Sequence, residues 1–124
     1  MTLTGDGRKA LGSRGEDYAC QYLLRQGYEI VYRNFRCRIG EIDIIASKNK
    51  ILCFIEVKTR ASTRYGRPAE AVTKAKQQKI YRCAEYYLQA QGIFQVMSVL
   101  SFDVIEIITE RGRVKEFRHY PNCF

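Results

Sequence analysis

Hydrophobic and polar positions follow two periods along this chain, and the switches between them predict seven elements. From about Arg8 to Gln26, apolar residues at Leu11, Tyr18, Ala19, Tyr22 and Leu23 recur at helical spacing, and Gly27 is a natural stop. Gly12 and Gly15 weaken that helix by up to about 1 kcal/mol each against alanine, but allow close approach to another element. Residues 28–37 read as a strand rich in aromatic and β-branched residues. Two further apolar runs, 40–46 and 51–60, flank the polar turn 47–50 and form a hairpin. Pro68 suits the first position of a helix running to about Gln91, with Gly92 as its stop. Residues 94–108 contain another long strand, and after a turn at 110–113 the run Val114 to Tyr120 is the last. Residues 1–7 look like a flexible arm before a single domain. The order αβββαββ predicts an α/β fold: an antiparallel meander, a helical crossover, and strands that complete a mixed sheet of about five.

Charged residues interrupt this pattern in one place. Asp43 sits inside an Ile-rich strand, and Glu56 and Lys58 close the next one. Strands are depleted in Asp, and a buried unpaired carboxylate costs several kcal/mol or titrates to neutral. Glu56 and Lys58 share a face, with Leu52 and Phe54 below them. A turn centred between Lys48 and Asn49 sets Asp43 opposite Phe54, and therefore diagonal to Glu56 on that face. A one-residue change in turn length would separate them. Two carboxylates and a lysine on one face suit magnesium or manganese, which take oxygen ligands and keep some of their water. The same residues also fit a surface Glu-Lys pair, worth at most about 1 kcal/mol.

Composition adds a partner class. The 124 residues carry 21 Lys plus Arg against 13 Asp plus Glu, a net charge of +8, which favours polyanions such as nucleic acid. Arg33, Arg36 and Arg38 lie among Tyr32 and Phe35, an arrangement that suits phosphate contacts and base stacking, and equally an arginine-protected strand edge. Residues 61–67, with Arg64 and Arg67, form a basic loop, and Lys74 and Lys76 begin a basic helix that either follows a nucleic-acid backbone or faces solvent. Five cysteines without a Cys-x-x-Cys motif signal neither a disulfide framework nor a zinc knuckle. With no signal peptide or membrane-length apolar run, free thiols point to a cytoplasmic protein with no membrane contact.

The ordered set Gly15-Glu16, Gly27-Tyr28, Arg33-Asn34, Gly40-Glu41-Ile42-Asp43, Phe54-Ile55-Glu56-Val57-Lys58-Thr59-Arg60, Gly66, Pro68, Lys76 and Phe102-Asp103-Val104 resembles the YraN-like family of small bacterial proteins. That family is similar to the PD-(D/E)XK nuclease superfamily, and within it to archaeal Holliday junction resolvases. The resemblance implies a restriction-endonuclease-like three-layer fold. It also implies a DNA endonuclease using Mg2+ or Mn2+ to hydrolyse phosphodiester bonds, with branched, junction or single-stranded DNA as substrate and a homodimer as working form. Asp43, Glu56 and Lys58 would be catalytic; Glu16, Asp43, Glu56 and the Val57 carbonyl would hold metal; Arg60 and the loop at 61–67 would grip the flanking backbone. Ile42 stands where the superfamily carries a proline, and Ser101 where relatives often carry a basic residue. The alternative is a non-catalytic module on the same fold that binds nucleic acid or a partner protein.

Overall fold

The computed structural model describes residues 7–61, 72–92 and 99–124. Residues 1–6 of the arm expected at 1–7, together with Arg64, Arg67 and Pro68, lie outside these, and Gly7 already belongs to the first helix. Helix α1 (Gly7–Arg25) leads into strands β1 (Glu29–Arg36), β2 (Glu41–Lys48) and β3 (Ile51–Arg60); helix α2 (Lys74–Gln91) precedes β4 (Val99–Glu110) and β5 (Arg113–Tyr120). One five-stranded sheet has the order β1-β2-β3-β4-β5, antiparallel throughout except for the parallel β3–β4 pair. The crossover predicted from the sequence is therefore present. Its helix does not begin at Pro68: Val72 and Thr73 are not helical, and the Thr73 hydroxyl caps the helix by accepting the Lys76 N–H.

Among the described residues, each sheet face carries one helix. Along β3, Leu52 and Phe54 pack toward α2 with Ile80, Cys83, Ala84 and Tyr87, a stripe at helical spacing. The intervening Cys53 and Ile55 pack toward α1 with Ala19, Cys20 and Leu23. Strand β4 is buried almost end to end, with Val104 on the α2 side and Ile105 and Ile107 on the α1 side, as a strand covered on both faces must be.

Three local features set up the site. The β2–β3 turn consists of Asn49 and Lys50, both left-handed at φ 52° and 63°, as a two-residue hairpin turn with the twist of its strands requires. This centres the turn one residue later than the sequence suggested, so Ile45 rather than Asp43 faces Phe54. Because the turn is still even in length, parity survives, and the register carried one pair beyond Ile44↔Ile55 sets Asp43 level with Glu56 instead of diagonal to it.

Second, β2 and β3 part company there. The ladder between them ends at Ile44↔Ile55, while β2 stays paired to β1 as far as Glu41 and β3 to β4 as far as Arg60. At the same level Asn34 takes a positive φ of 54°. Across it the side chains of β1 change face: Arg33 reaches Asp17 on α1, and Phe35 packs with the α2 core. Ile42 and Ile44 likewise belong to opposite core clusters. The sheet forks at Asp43.

Third, Gly15 lets α1 lie directly on β3. A Cβ placed there would stand 2.1 Å from Thr59 Oγ1 and 3.4 Å from Thr59 Cβ. Gly15→Ala should therefore cost roughly 1–3 kcal/mol of folding free energy despite its better helix propensity. Adding Thr59→Ala, which removes the colliding atom, should recover most of the loss. Urea unfolding of the two single variants and the double measures the coupling, and strictly additive effects would contradict it.

Candidate active site where two strands part

The fork exposes the Val57 N–H that β2 would otherwise cover, and Asp43 Oδ2 accepts it at 2.8 Å. Asp43 thus replaces a ladder bond with a side-chain bond, which aims its carboxylate into the gap. Glu56, only 6% exposed, faces the same gap from β3. Its Oε1 lies 3.4 Å from Lys58 Nζ and 2.6 Å from Lys76 Nζ. Lys76 was read from the sequence as a backbone-binding lysine; the structure turns it inward onto Glu56. A signal for this was available, since Lys76 lies four residues before Ile80 on the apolar stripe of α2 and so shares its face.

Electrostatics mark the gap as short of positive charge. Burial, then the neighbouring charge of Glu56, raises Asp43 from its ordinary 3.8 to about 7, against the bond from Val57 and the attraction of Lys76. Burial likewise raises Glu16; the attraction of Arg33 opposes the rise, and repulsion from Glu41, Asp17 and Glu56 adds to it. Glu16 Oε1 is buried without a hydrogen-bond partner. Among the lysines, burial and the bond shared with Lys76 lower Lys58. Burial also works against Lys76, but its bonds to Glu56 and Lys58 prevail and raise it. These oxygens fit a hard divalent cation, which would relieve the crowding of carboxylates. Among the described residues no three His, Cys, Asp or Glu side chains form a ready cage. Water or phosphate oxygens would have to complete the coordination.

The remaining predicted residues divide. Arg60 is turned onto the buried Glu106 of β4, whose carboxylate it meets through Nη2. Arg36 is exposed and meets Glu41 at 3.3 Å; Arg38 and Lys74 are exposed. A cleft of about 320 Å³, lined by Gly40, Glu41, Thr73, Lys76 and Lys79, runs between the β1–β2 connection and the start of α2. Through Lys76 it adjoins Glu56. Lys79 belongs to the same basic helix that the sequence predicted.

The sequence reading also missed a second polar cluster, on the α1 face. Asp103 is fully buried. Its Oδ1 accepts from the Ser101 hydroxyl and, at 2.9 Å, from the Asn122 N–H; its Oδ2 lies 2.8 Å from His119 Nε2. Ser101 and His119 both bond to the carboxylate and not to each other, so the imidazole is not placed to take the serine proton as in a Ser-His-Asp triad. The cluster ties β4 to β5 and the C-terminal residues. The signal was the lone carboxylate in the long apolar run of β4, together with the chain's single histidine.

Residues 15–107 match the profile of Uncharacterised protein family UPF0102. The chain belongs to this family. Its matched span contains each motif residue from Gly15 to Val104. A UPF0102 protein of Caldicellulosiruptor saccharolyticus is 46% identical over 118 residues, covering 94% of this chain and 98% of that one. One from Geobacter metallireducens is 48% identical over 116 residues, covering 94% and 93%. A third, from Alkaliphilus metalliredigens, is 43% identical over 116 residues, covering 94% and 98%. In each of these three pairs the alignment spans at least 93% of both chains. Among the described residues, no helix of this member is long and apolar enough to cross a membrane.

Proposed function

We propose that this UPF0102 protein is a divalent-metal-dependent DNA endonuclease of the PD-(D/E)XK type, on a restriction-endonuclease-like fold. The observation that carries this reading is the fork: Asp43 and Glu56, adjacent and desolvated, with Lys58 beside them where two strands part. A stability-driven sequence has no use for such a cluster, because apolar residues of similar volume would cost less.

In this reading Asp43 and Glu56 hold Mg2+ or Mn2+, with the Val57 carbonyl and Glu16 at the margin. When bound, the ion supplies charge to the scissile phosphate and acidifies water. Lys58, its proton loosened by burial and by Lys76, holds the attacking water and takes a proton from it. The water oxygen bonds to phosphorus, the ester P–O bond breaks, and the departing oxygen takes a proton. The cleft beside Lys76 and Lys79 accepts the neighbouring phosphates, with Arg36, Arg38 and Lys74 along its approach and Arg64 and Arg67 as further contacts. Arg60 acts on the site indirectly, by neutralising Glu106. Branched DNA and a symmetric dimer are the substrate and assembly that the resolvase resemblance favours.

One observation favours a second reading. Lys76 already neutralises Glu56, as it would in a module that binds nucleic acid or a partner protein without cutting. Labelled linear, single-stranded, flapped and four-way DNA, incubated with Mg2+ or Mn2+ and separately with EDTA, distinguishes the two. The nuclease reading expects metal-dependent cuts that disappear in Glu56→Gln. Salt-sensitive binding without cuts would establish the module instead.

A further inference from the structure

The two elements that wall the cleft also carry a feature that the nuclease reading does not use. Cys37, in the connection between β1 and β2, and Cys83, on the buried face of α2, bring their sulfur atoms to 3.0 Å across 46 residues of sequence. All five cysteines are free thiols, but these two meet with unequal properties. Cys37 is partly exposed and Cys83 fully buried. Burial opposes ionisation of Cys37, but hydrogen bonds from the Cys83 thiol and from the Gly40 and Ile39 backbone outweigh it and bring its pKa below the ordinary value. Cys83 is held protonated, pushed up to about 12 first by burial and then by the bond to Cys37. An accessible, thiolate-prone sulfur backed by a buried thiol within reach is the arrangement of a peroxide-reactive pair.

We propose that Cys37 and Cys83 are a redox-active dithiol that hydroperoxides convert to a disulfide joining the β1–β2 connection to α2, the two elements that wall the cleft. The Cys37 thiolate attacks the peroxide, the O–O bond breaks, and a sulfenic acid and hydroxide form. The Cys83 sulfur then attacks the sulfenyl sulfur; the S–O bond breaks, and the thiol proton and hydroxide leave as water. In total two thiols lose two hydrogens, and one hydrogen peroxide is reduced to two waters. The sulfur atoms have only to close from 3.0 Å to a bonding distance of about 2.05 Å. In a reducing compartment the thiol form prevails and the bridge is transient.

The bridge would join elements that carry opposite walls: Gly40 and Glu41 follow Cys37, and Lys76 and Lys79 precede Cys83 on α2. Oxidation would therefore fix the width of the cleft. This holds whether or not the neighbouring carboxylates cut DNA.

The test is peptide mapping of the full-length protein after reduction, exposure to one equivalent of hydrogen peroxide and alkylation of the remaining thiols. Cleavage after glutamate places Cys37 alone in peptide 30–41 and Cys83 alone in peptide 71–85. The expected result is those two peptides joined, lighter by two hydrogens, and separated again by dithiothreitol. Closing a loop of this length should also raise the melting temperature by on the order of 10 °C. In Cys83→Ser, Cys37 should persist as a sulfenic acid that dimedone traps. Both peptides recovered separately alkylated, or linked instead to Cys20, Cys53 or Cys123, would overturn the proposal. So would Cys37 passing directly to sulfinic acid in the wild type.

Discussion

Asp43→Asn should abolish metal-dependent DNA cleavage and yet make the metal-free protein more stable at pH 8, by on the order of 2–4 kcal/mol. The carboxyl of Asp43 holds its proton up to about pH 7 in the folded chain, against an ordinary value of 3.8. Below about pH 4 both folded and unfolded chains are protonated there, and folding bears no cost from this group. As pH rises from about 4 to about 7, the unfolded chain releases the proton first, so stability falls across that window and then levels off. Asparagine avoids this cost while keeping an oxygen to accept the Val57 N–H. The advantage of the variant should therefore be near zero at pH 4 and fully developed by pH 8. Urea unfolding across this range measures it. Millimolar Mg2+ or Mn2+ should stabilise the wild type, by mass action on a site present only when folded, and leave Asp43→Asn unmoved. A variant less stable than the wild type at pH 8 would mean that the charge of Asp43 is fully compensated within the fold.

Asp103→Ala should be the most damaging substitution in the core, costing about 3–5 kcal/mol. It leaves the Ser101 hydroxyl, the Asn122 N–H and His119 without their shared partner, at a position with no access to water. Against a total stability of roughly 5–15 kcal/mol, that is a large share. Asp103→Asn separates geometry from charge. Its oxygen can keep both bonds made to Oδ1, and its amide can donate to His119 Nε2 if the ring proton moves to Nδ1, where Tyr22 Oη lies 3.4 Å away. That variant should lose only about 1 kcal/mol. Equal damage from the two would show that the negative charge itself holds β4 to β5.

The two substitutions also show how far the sequence was legible. Asp43 and Glu56 could be found because each breaks a strand pattern, and their placement on one face needed only an even turn. The turn's centre was misplaced because Lys50 is an improbable left-handed residue and the polar stretch offered two centres of equal merit. The fork could not be read at all. It arises from the end of one ladder and the positive φ of Asn34, and neither leaves a mark in hydrophobic periodicity. Lys76 and Arg60 were read as contacts to a nucleic-acid backbone because both are long cations near a basic loop; what draws them inward is the buried Glu56 and Glu106, contacts that form only when α2 and β4 close on β3. The Asp103 cluster failed for the same reason. Its members are as many as 21 residues apart along the chain and meet only through the β4–β5 pairing and the residues that follow it.

Asn49 and Lys50 give the site a kind of reading frame. The carboxylates of Asp43 and Glu56 are brought level by two strands counted back from a two-residue turn. One inserted or deleted residue there would send one of them to the opposite face while leaving both strands equally able to form. Additions in the basic loop after β3 would leave that count untouched. The part of the chain most sensitive to length is therefore its smallest surface turn, well away from the charges it aligns.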